Sequence, residues 1–346
     1  MSGERMAQNK FRIGISRTVL DSAGKTIFDP AALALIEGSD IEWEYLARAD
    51  PDVTPQIAQS YDALCVMLGR VTRATFAGGG HRLKLIARFG VGYDTIDVPA
   101  CTENGVLVAI APDGVRRPVA TTVITFMLAL AQKLLIKDRL TREGRWADKL
   151  NHMGMGLTGR VLGAIGLGNI GAEVFRLARP FGLRHLACDP YASADLAREL
   201  DVELCDLDTL LAASDFVSVN CPLSEATRGL IGARELSLMK PTAYLINTAR
   251  GPIVQERALY EALAGGRIAG AGLDVFEVEP AAAENPLFAL DNVIVTPHGL
   301  CFTDECLTGL ARSAFGAARA AAVGRVPDHL VNPEALAHPA LAHLRR

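Results

Sequence analysis

The chain has 346 residues, of which 50% are hydrophobic and 21% charged, and its formal net charge is -4. This composition is typical of a soluble globular protein that is long enough for two domains. The acidic balance and the lack of a basic stripe argue against nucleic acid as a partner.

The start of the chain, MSGERMAQNK, is polar and lacks the apolar core of a signal peptide. Seven cysteines are scattered along the chain, and the closest pair, Cys301 and Cys306, lacks zinc-knuckle spacing. They indicate reduced thiols rather than a disulfide framework or a metal site. The most apolar segment, residues 119–131, is too short to span a bilayer and predicts a buried helix. We therefore expect a soluble, cytoplasmic protein with no membrane partner.

Short apolar runs in the first third of the chain predict the strands of a first sheet. They are FRIGIS (11–16), IEWEYL (41–46), ALCVML (63–68), KLIARFG (84–90) and GVLVAIA (105–111). A helix-like AALALIEG (31–38) separates the first two. Short apolar strands that alternate with helical stretches indicate a parallel sheet covered on both faces.

A turn-rich segment, APDGVRRP (111–118), is expected to lead from this sheet into one long helix through residues 120–136. Pro118 fits the first turn of that helix. We expect the helix to end near the charged REGRWADK (142–149).

A second series of strands follows that helix. It comprises RVLGAIG (160–166), RHLACD (184–189), FVSVNCP (216–222), AYLINTA (243–249), AGAGLDV (269–275) and NVIVTPH (292–298). An Ala-rich helix is predicted over residues 305–323. Repeated alternation of strand and helix predicts an α/β protein with two doubly wound parallel-sheet domains.

GLGNIG, residues 166–171, matches the pattern G-x-G-x-x-G between a predicted strand and a predicted helix. Gly166 allows a tight turn, Gly168 lets the backbone approach a pyrophosphate, and Gly171 permits close packing of helix on strand. Asp189 ends the next strand, where a carboxylate can accept both ribose hydroxyls and repel a 2′-phosphate. The segment therefore favours NAD over NADP. Glycine-rich turns are common, however, and Asp189 could be a turn residue before Pro190.

Polar side chains follow three later strands, and parallel strands bring their carboxyl ends to one edge. Arg250 follows the first of these strands, Glu279 lies beyond the second and His298 ends the third. A histidine can donate the proton that carbonyl reduction needs, and a carboxylate stabilises its protonated form. A guanidinium can bind the carboxylate of a keto acid. Each side chain also has a structural interpretation: a surface ion pair, a loop acid or a buried histidine.

With these motifs in place, the chain resembles the D-isomer-specific 2-hydroxyacid dehydrogenases, from RFGVGYDTID (88–97) to TPHG (296–299). The group includes phosphoglycerate dehydrogenases and glyoxylate and hydroxypyruvate reductases. The resemblance implies a flavodoxin-like substrate domain built from residues 1–113 and 303–346. A Rossmann NAD-binding domain, residues 114–302, is inserted into it.

The resemblance also implies a role for individual residues. Arg250 is expected to bind substrate, and His298 to act as the acid–base group paired with Glu279. The amides of Val91 and Gly92 are expected to hold the substrate carboxylate. The implied cofactor-binding residues are Gly166, Gly168, Asn169, Ile170, Gly171, Asp189, Cys221, Pro222, Thr227, Thr248, Ala249, Arg250, Asp274, His298 and Gly299. Asp274 matches the acceptor for the nicotinamide amide.

Two places depart from the commoner family pattern. The run GLCFTDE after His298 carries bulky Leu300, Cys301 and Phe302, which either pack at a hinge or reshape the substrate wall. In APDGVRRPVATT, Thr121 stands where a glutamate is frequent. Arg116 and Arg117 are unusual there, and either contact a polar or phosphorylated substrate, sit at a solvated helix start or form an ion pair across a dimer contact.

The sequence thus predicts an NAD-dependent oxidoreductase that interconverts a 2-oxo acid and a D-2-hydroxy acid. The alternative is an NAD(H)-sensing corepressor that binds protein partners with little turnover. A phosphoglycerate-type biosynthetic enzyme would differ only in substrate. By resemblance, a homodimer is expected with residues 121–136 in the interface.

Overall fold

The computed structural model describes residues 10–48, 52–67 and 69–345. The chain divides into two compact units, and each is described by itself. Unit 1 comprises Met1–Val115 and Phe302–Arg346, and unit 2 comprises Arg116–Cys301. The first nine residues of the polar start and Leu68, at the end of one predicted strand, lie outside the described residues.

Unit 1 contains a five-stranded parallel sheet with the order β2-β1-β3-β4-β5. The strands are β1 (Phe11–Ile15), β2 (Ile41–Tyr45), β3 (Ala63–Val66), β4 (Leu85–Arg88) and β5 (Leu107–Ala109). The unit also contains helices α1 (Pro55–Ser60), α2 (Val98–Glu103) and α10 (Asp304–Ala322). Helix α10 returns from the far end of the chain and packs against β3 and β4. This is the flavodoxin-like strand order.

Unit 2 contains a seven-stranded parallel sheet with the order β12-β11-β10-β9-β6-β7-β8. The strands are β6 (Val161–Ile165), β7 (Arg184–Cys188), β8 (Val202–Leu204), β9 (Phe216–Val219), β10 (Tyr244–Asn247), β11 (Gly270–Leu273) and β12 (Val293–Val295). The connecting helices are α4 (Leu134–Arg142), α5 (Asn169–Ala178), α6 (Ala194–Leu200), α7 (Leu207–Ala213), α8 (Ala233–Leu238) and α9 (Glu256–Ala264). The strand order reverses between β6 and β9, which are parallel neighbours, and this is the Rossmann arrangement with one added strand.

The apolar strand sequences are explained by burial of the unit 2 sheet on both faces. Leu162 and Phe216 belong to the core on one face, whereas their neighbours Val161 and Val217 belong to the core on the other. Because successive strand residues point to opposite faces and both faces are covered, such strands need no alternation of apolar with solvent-facing polar residues. The prediction of two parallel-sheet α/β domains is confirmed.

The segment predicted as a turn is helical. Helix α3 (Pro112–Ala131) begins six residues before Pro118, which lies inside it. Gly114 serves close packing rather than a turn, because a Cβ placed on it would lie 2.6 Å from the backbone nitrogen of Leu310. The predicted long helix is also interrupted, since Lys133 adopts a left-handed conformation (φ 53°) before α4 starts.

Two further elements differ from expectation. Strand β8 was not predicted, because VEL has too few residues to give an apolar run. Residues Pro30–Ile36 form a 3-10 helix rather than an α-helix. Helix α3 has the length and composition to cross a membrane, but 61% of its apolar window is buried within the protein. It is therefore built as a core helix, in which Phe126 and Met127 are almost fully buried.

Candidate active site

The glycine motif joins β6 to α5 at the carboxyl edge of the unit 2 sheet. Gly166 adopts a positive φ of 101°, and a Cβ on it would lie 2.9 Å from the backbone nitrogen of Cys221. A Cβ on Gly171 would lie 2.2 Å from the carbonyl oxygen of Gly166. A side chain at either position would therefore displace backbone. A Cβ on Gly168 meets nothing within 4 Å, so this part of the loop faces open space.

Helix α5 starts directly after Gly168, with Asn169 and Ile170 in its first turn. The first N–H groups of a helix have no partner within the helix, and its dipole is positive at that end. The loop therefore offers an anion a backbone cradle at the N-terminus of a ten-residue helix.

Asp189, at the end of β7, is tied to this loop. Its Oδ2 accepts the backbone N–H of Leu167 at 2.8 Å, and its Oδ1 accepts that of Tyr191 at 2.8 Å. Each carboxylate oxygen can accept more than one hydrogen bond. Asp189 is thus held beside the phosphate cradle with acceptor capacity left for a ribose.

The segment after β9 borders the same loop. Cys221 is half-buried, and burial raises the pKa of its thiol to about 11. The hydroxyl of Thr227 donates to the carbonyl oxygen of Pro222 at 2.6 Å and accepts the N–H of Ser224 at 2.8 Å. These hydrogen bonds of Thr227 close the loop internally. Because the pKa of Cys221 is raised, its thiol is neutral at neutral pH and is not a reactive thiolate.

Beyond β10, the segment Thr248, Ala249 and Arg250 is fixed by Asn247, which is fully buried. The side-chain oxygen of Asn247 accepts the N–H of Ala249 at 3.1 Å, and its amide nitrogen donates to the carbonyl oxygen of Arg250 at 2.9 Å. Nη1 of Arg250 donates to the carbonyl oxygen of Ala249 at 2.7 Å. The half-buried guanidinium is thus anchored by its own turn.

The next residue, Gly251, brings two strand-end loops together. A Cβ on Gly251 would lie 1.8 Å from the carbonyl carbon of Phe276, so no side chain fits between the loops after β10 and β11. This close approach places the backbone carrying Arg250 against the segment that leads to Glu279.

Asp274 follows β11 and is only 3% exposed. Its Oδ1 accepts the hydroxyl of Thr296 at 2.5 Å and the backbone N–H groups of Gly299 at 3.0 Å and Leu300 at 3.2 Å. These three bonds fix the loop on both sides of His298. A buried carboxylate therefore sets the position of the histidine backbone.

His298 and Glu279 form a hydrogen-bonded pair, with Nδ1 of His298 2.7 Å from Oε2 of Glu279. The other carboxylate oxygen, Oε1, accepts the N–H of Phe276 at 2.9 Å. His298 has a φ of 49°, a left-handed conformation that is uncommon for residues other than glycine. Because Nδ1 faces Glu279, Nε2 is the nitrogen available to a reacting group.

Electrostatics favour the charged forms of this pair. The hydrogen bond to Glu279 raises the pKa of His298, while burial and the charge of Arg250 oppose that rise. Burial raises the pKa of Glu279, but the bonds from His298 and Phe276 and the charges of His298 and Arg250 outweigh it, and the net pKa is lowered. The imidazole thus holds its proton above its ordinary pKa.

In unit 1, Val91 and Gly92 lie in the half-buried loop after β4. Arg88, at the end of β4, is 6% exposed, and its Nε donates to the carbonyl oxygen of Gly92 at 3.0 Å. The loop with the predicted substrate amides is therefore held by a buried guanidinium.

Known proteins are similar to this chain in sequence. Residues 124–299 match the family model described as D-isomer specific 2-hydroxyacid dehydrogenase, NAD binding domain. The chain is 38% identical to the glyoxylate reductase of Korarchaeum cryptofilum over 295 residues, 84% of this chain and 89% of that protein. It is 42% identical to the D-3-phosphoglycerate dehydrogenase of Archaeoglobus fulgidus over 245 residues, 71% of this chain but 46% of that protein.

A solved structure is also similar to this chain in fold. The D-lactate dehydrogenase from Aquifex aeolicus, complexed with NAD and lactic acid, has a TM-score of 0.79 and 27% identity, covering 91% of this chain and 96% of that chain. The chain belongs to the D-isomer-specific 2-hydroxyacid dehydrogenase family. The predicted enzyme class, an NAD-dependent D-2-hydroxyacid dehydrogenase, is confirmed, and so is NAD as the cofactor.

The geometry of this family member fits that cofactor. The open space at Gly168, the start of α5 and the carboxylate of Asp189 suit a pyrophosphate and a ribose in succession. Among the described residues, no group of three or more His, Cys, Asp or Glu side chains could hold a metal ion.

The structure bears on the alternative roles given above for residues that depart from the family pattern. Nη1 of Arg117 lies 2.8 Å from Oε1 of Glu173 on α5, so Arg117 forms an ion pair within unit 2. Leu300 packs against a core cluster of unit 2, whereas Phe302 is 46% exposed. The structure therefore favours a structural role for Arg117 and Leu300.

Sequence reasoning missed three positioning residues: Arg88, Asn247 and Thr296. Arginine at the end of a buried strand was a signal for Arg88, and asparagine at the end of β10 was one for Asn247. Thr296 gave no signal, because its partner Asp274 lies 22 residues away in the chain.

Proposed function

We propose that the chain interconverts a 2-oxo acid and a D-2-hydroxy acid, with His298 as the acid–base residue, Glu279 as its partner and Arg250 as the substrate anchor. The observation that carries this proposal is the 2.7 Å contact between His298 and Glu279 at the sheet edge that also holds the glycine loop.

In reduction, the imidazolium of His298 donates its Nε2 proton to the carbonyl oxygen at C2 of the substrate. The bound cofactor would supply the hydride as NADH in this direction and accept it as NAD⁺ in the other. In oxidation, neutral His298 removes the hydroxyl proton. Glu279 stabilises the imidazolium and fixes the ring through Nδ1, so that proton transfer occurs at Nε2.

Arg250 binds the carboxylate of the substrate. Its guanidinium is half-buried, and a charge-assisted hydrogen bond is stronger there than in open water. Its positive charge also stabilises negative charge that develops on the C2 oxygen. The role of the Val91 and Gly92 amides in holding a substrate carboxylate stays a prediction, which the anchoring of their loop by Arg88 supports.

The cofactor roles of the remaining predicted residues are also proposals. Asp189 accepts the ribose hydroxyls and excludes a 2′-phosphate, which favours NAD over NADP. Thr248, Ala249, Cys221, Pro222 and Thr227 line the cofactor mainly through backbone and bulk. Asp274 accepts the nicotinamide amide in addition to fixing the histidine loop.

A steady-state screen tests the proposal. NADH oxidation is measured with glyoxylate, hydroxypyruvate, pyruvate and phosphohydroxypyruvate, with NADPH as the cofactor control. We expect turnover of at least one acid with NADH, and a fall in kcat of about 10²- to 10⁴-fold in His298→Gln. Full activity in that variant would remove His298 from the mechanism. Tight NADH binding without turnover of any acid would instead indicate the corepressor, which the names of the relatives do not favour.

We also propose that the enzyme is a cytoplasmic homodimer. The seven cysteines, all among the described residues, are not in disulfides. Helix α4 packs against the 3-10 helix Trp146–His152, and large apolar side chains are exposed on both elements and at the residue that follows them. These are Leu134 (56% exposed), Leu135 (54%), Trp146 (66%), Leu150 (70%) and Met153 (68%). Such clustering is typical of an interface. Sedimentation equilibrium should give twice the chain mass, and Trp146→Glu should shift it toward the monomer.

A further inference from the structure

Two cysteines lie side by side at the nucleotide end of the unit 2 sheet. Cys188 is the last residue of β7, and Cys205 directly follows β8. Ala187 pairs with Leu204 in the parallel register, and the N–H of Cys205 donates to the carbonyl oxygen of Ala187 at 3.0 Å. The register therefore continues to Cys188 beside Cys205.

The two thiols point to the same face of the sheet, because paired residues of parallel strands do so. Both side chains pack against the same core cluster, and both are only partly buried. They therefore remain within reach of small reagents, unlike Cys65 and Cys101, which are buried in unit 1.

The spacing of neighbouring strands permits a bond between them. Adjacent strands lie about 4.8 Å apart, within the Cα separation of about 4.4–6.8 Å found in disulfides. The two Cβ atoms must approach to about 3.8 Å. Strand β8 (Val202–Leu204) is the short outermost strand of the sheet, paired only with β7 among the described strands, so it can shift toward its neighbour.

A shift at this position reaches the nucleotide site. The carbonyl oxygen of Cys188 accepts the N–H of Gly166, the first glycine of the motif, at 2.9 Å. The next residue is Asp189, whose carboxylate is held by Leu167 and Tyr191. Drawing Cys188 toward Cys205 therefore strains the backbone that positions both the phosphate cradle and the ribose acceptor.

We propose that Cys188 and Cys205 are a redox-active thiol pair which low-molecular-weight disulfides convert reversibly into an intrachain disulfide, and that this bond weakens NADH binding. The inference rests on the proposed role of Asp189 in binding the cofactor. It adds a covalent modification site to the nucleotide end of the enzyme.

The reaction is thiol–disulfide exchange in two steps. The thiolate of one cysteine attacks the reagent RSSR, forming a mixed disulfide and releasing RS⁻. The second thiolate displaces the remaining RS⁻ and forms the bond between Cys188 and Cys205. The two protein thiols together lose two electrons, which reduce one molecule of RSSR. The two protons end on the two RSH molecules.

The surroundings of the pair set its reactivity. Burial, with Asp189 and Asp206, raises the pKa of Cys188, and burial, with Cys188 and Asp206, raises that of Cys205. Because the thiolate is the nucleophile, exchange should be slow at neutral pH and faster as pH rises.

Oxidation of the purified protein with glutathione disulfide tests the proposal. Peptide mass spectrometry should find the Cys188–Cys205 cross-link, and NADH titration should give a Kd about tenfold higher, as expected for one lost charge-assisted hydrogen bond. Dithiothreitol should restore the original Kd. Cys205→Ser should bind NADH like the reduced protein and lose the response, whereas Cys101→Ala should keep it.

The outcomes separate this inference from the proposed function. If the reduced protein does not bind NADH, the proposed cofactor role fails first. If it binds NADH but oxidation leaves Kd unchanged, or if Cys188 pairs with Cys221 instead, the inference alone is wrong. A response that persists in Cys205→Ser would also overturn it.

Discussion

Two ends of one sheet edge in unit 2 present different chemical groups for the two tasks proposed for them, nucleotide binding and proton transfer. At the nucleotide end, after β6 and β7, the groups presented are backbone amides, glycines without side chains and one carboxylate. At the end proposed to be catalytic, after β10, β11 and β12, the groups are the side chains of Arg250, Glu279 and His298. Both groups of loops lie at the same edge because all of these strands belong to one parallel sheet.

The difference lies in what each end must hold. A pyrophosphate needs several N–H donors at close range, and only a backbone without Cβ atoms brings them near enough. Proton transfer needs one group with a tuned pKa in one orientation, and only a side chain with fixed partners provides that. We therefore expect variants at the catalytic end to change the rate and its pH dependence, and variants at the nucleotide end to change cofactor affinity.

Among variants that leave the imidazole in place, the largest effect is expected from Glu279→Gln. Glu279 raises the pKa of His298, so the imidazole stays protonated to higher pH. Reduction needs the protonated imidazole of His298. The reductive rate is therefore highest below that pKa and falls as pH rises through it. In Glu279→Gln the loss should begin at lower pH, and kcat should fall roughly 10- to 100-fold, less than on loss of the imidazole itself.

Profiles of kcat against pH, with NADH titrations at each pH, check this expectation. A matched control is Glu261→Gln, which removes an exposed carboxylate paired with Arg257 at 3.0 Å in the same unit. That variant should keep the wild-type profile. An unshifted profile in Glu279→Gln would show that Glu279 does not set the protonation of His298.

A smaller effect, on cofactor affinity rather than on the rate, is expected from Gly171→Ala. The added Cβ would lie 2.2 Å from the carbonyl oxygen of Gly166, so the helix must move away from the loop. Such overpacking costs about 1–3 kcal/mol. We expect weaker NADH binding by about tenfold and a lower free energy of unfolding.

The control for this variant is Gly316→Ala in α10, where a Cβ meets nothing within 4 Å. Removing a glycine from a helix interior should stabilise the protein by about 0.5–1 kcal/mol without changing NADH affinity. Fluorescence titration and urea unfolding measure both quantities. If Gly171→Ala lowered kcat while leaving Kd unchanged, the two ends would not be separable.

The same contrast explains what the sequence could predict. The glycine motif is contiguous and its function follows from backbone geometry, so Gly166, Gly168 and Gly171 could be identified directly. Arg250, Glu279 and His298 are distant in sequence and could be connected only by assuming that strand ends meet or from the resemblance to the family. The contacts that fix them, from Asp274 to Gly299 and from Asn247 to Ala249, depend on loop conformations that no local pattern encodes.

Local sequence preference also gave a wrong secondary structure where packing opposed it. Proline, aspartate and glycine in APDGVRRP favour a turn, yet α3 begins there because Gly114 packs against Leu310. The break at Lys133 gave no glycine or proline signal. Strand β8 is three residues long and lies at the sheet edge, so its pattern is too short to detect.

The smallest effect is expected from Arg117→Gln, which tests whether the nucleotide end extends to α3. Arg117 is 55% exposed and pairs with Glu173, which also lies 3.6 Å from Arg176. Because Glu173 keeps a second cation and exposed pairs contribute about 0.2–1 kcal/mol, stability should fall by less than about 1 kcal/mol. The kcat/KM for the preferred acid should change less than about twofold, since the guanidinium is engaged on α5. A larger fall confined to a phosphorylated acid would instead make Arg117 part of substrate recognition.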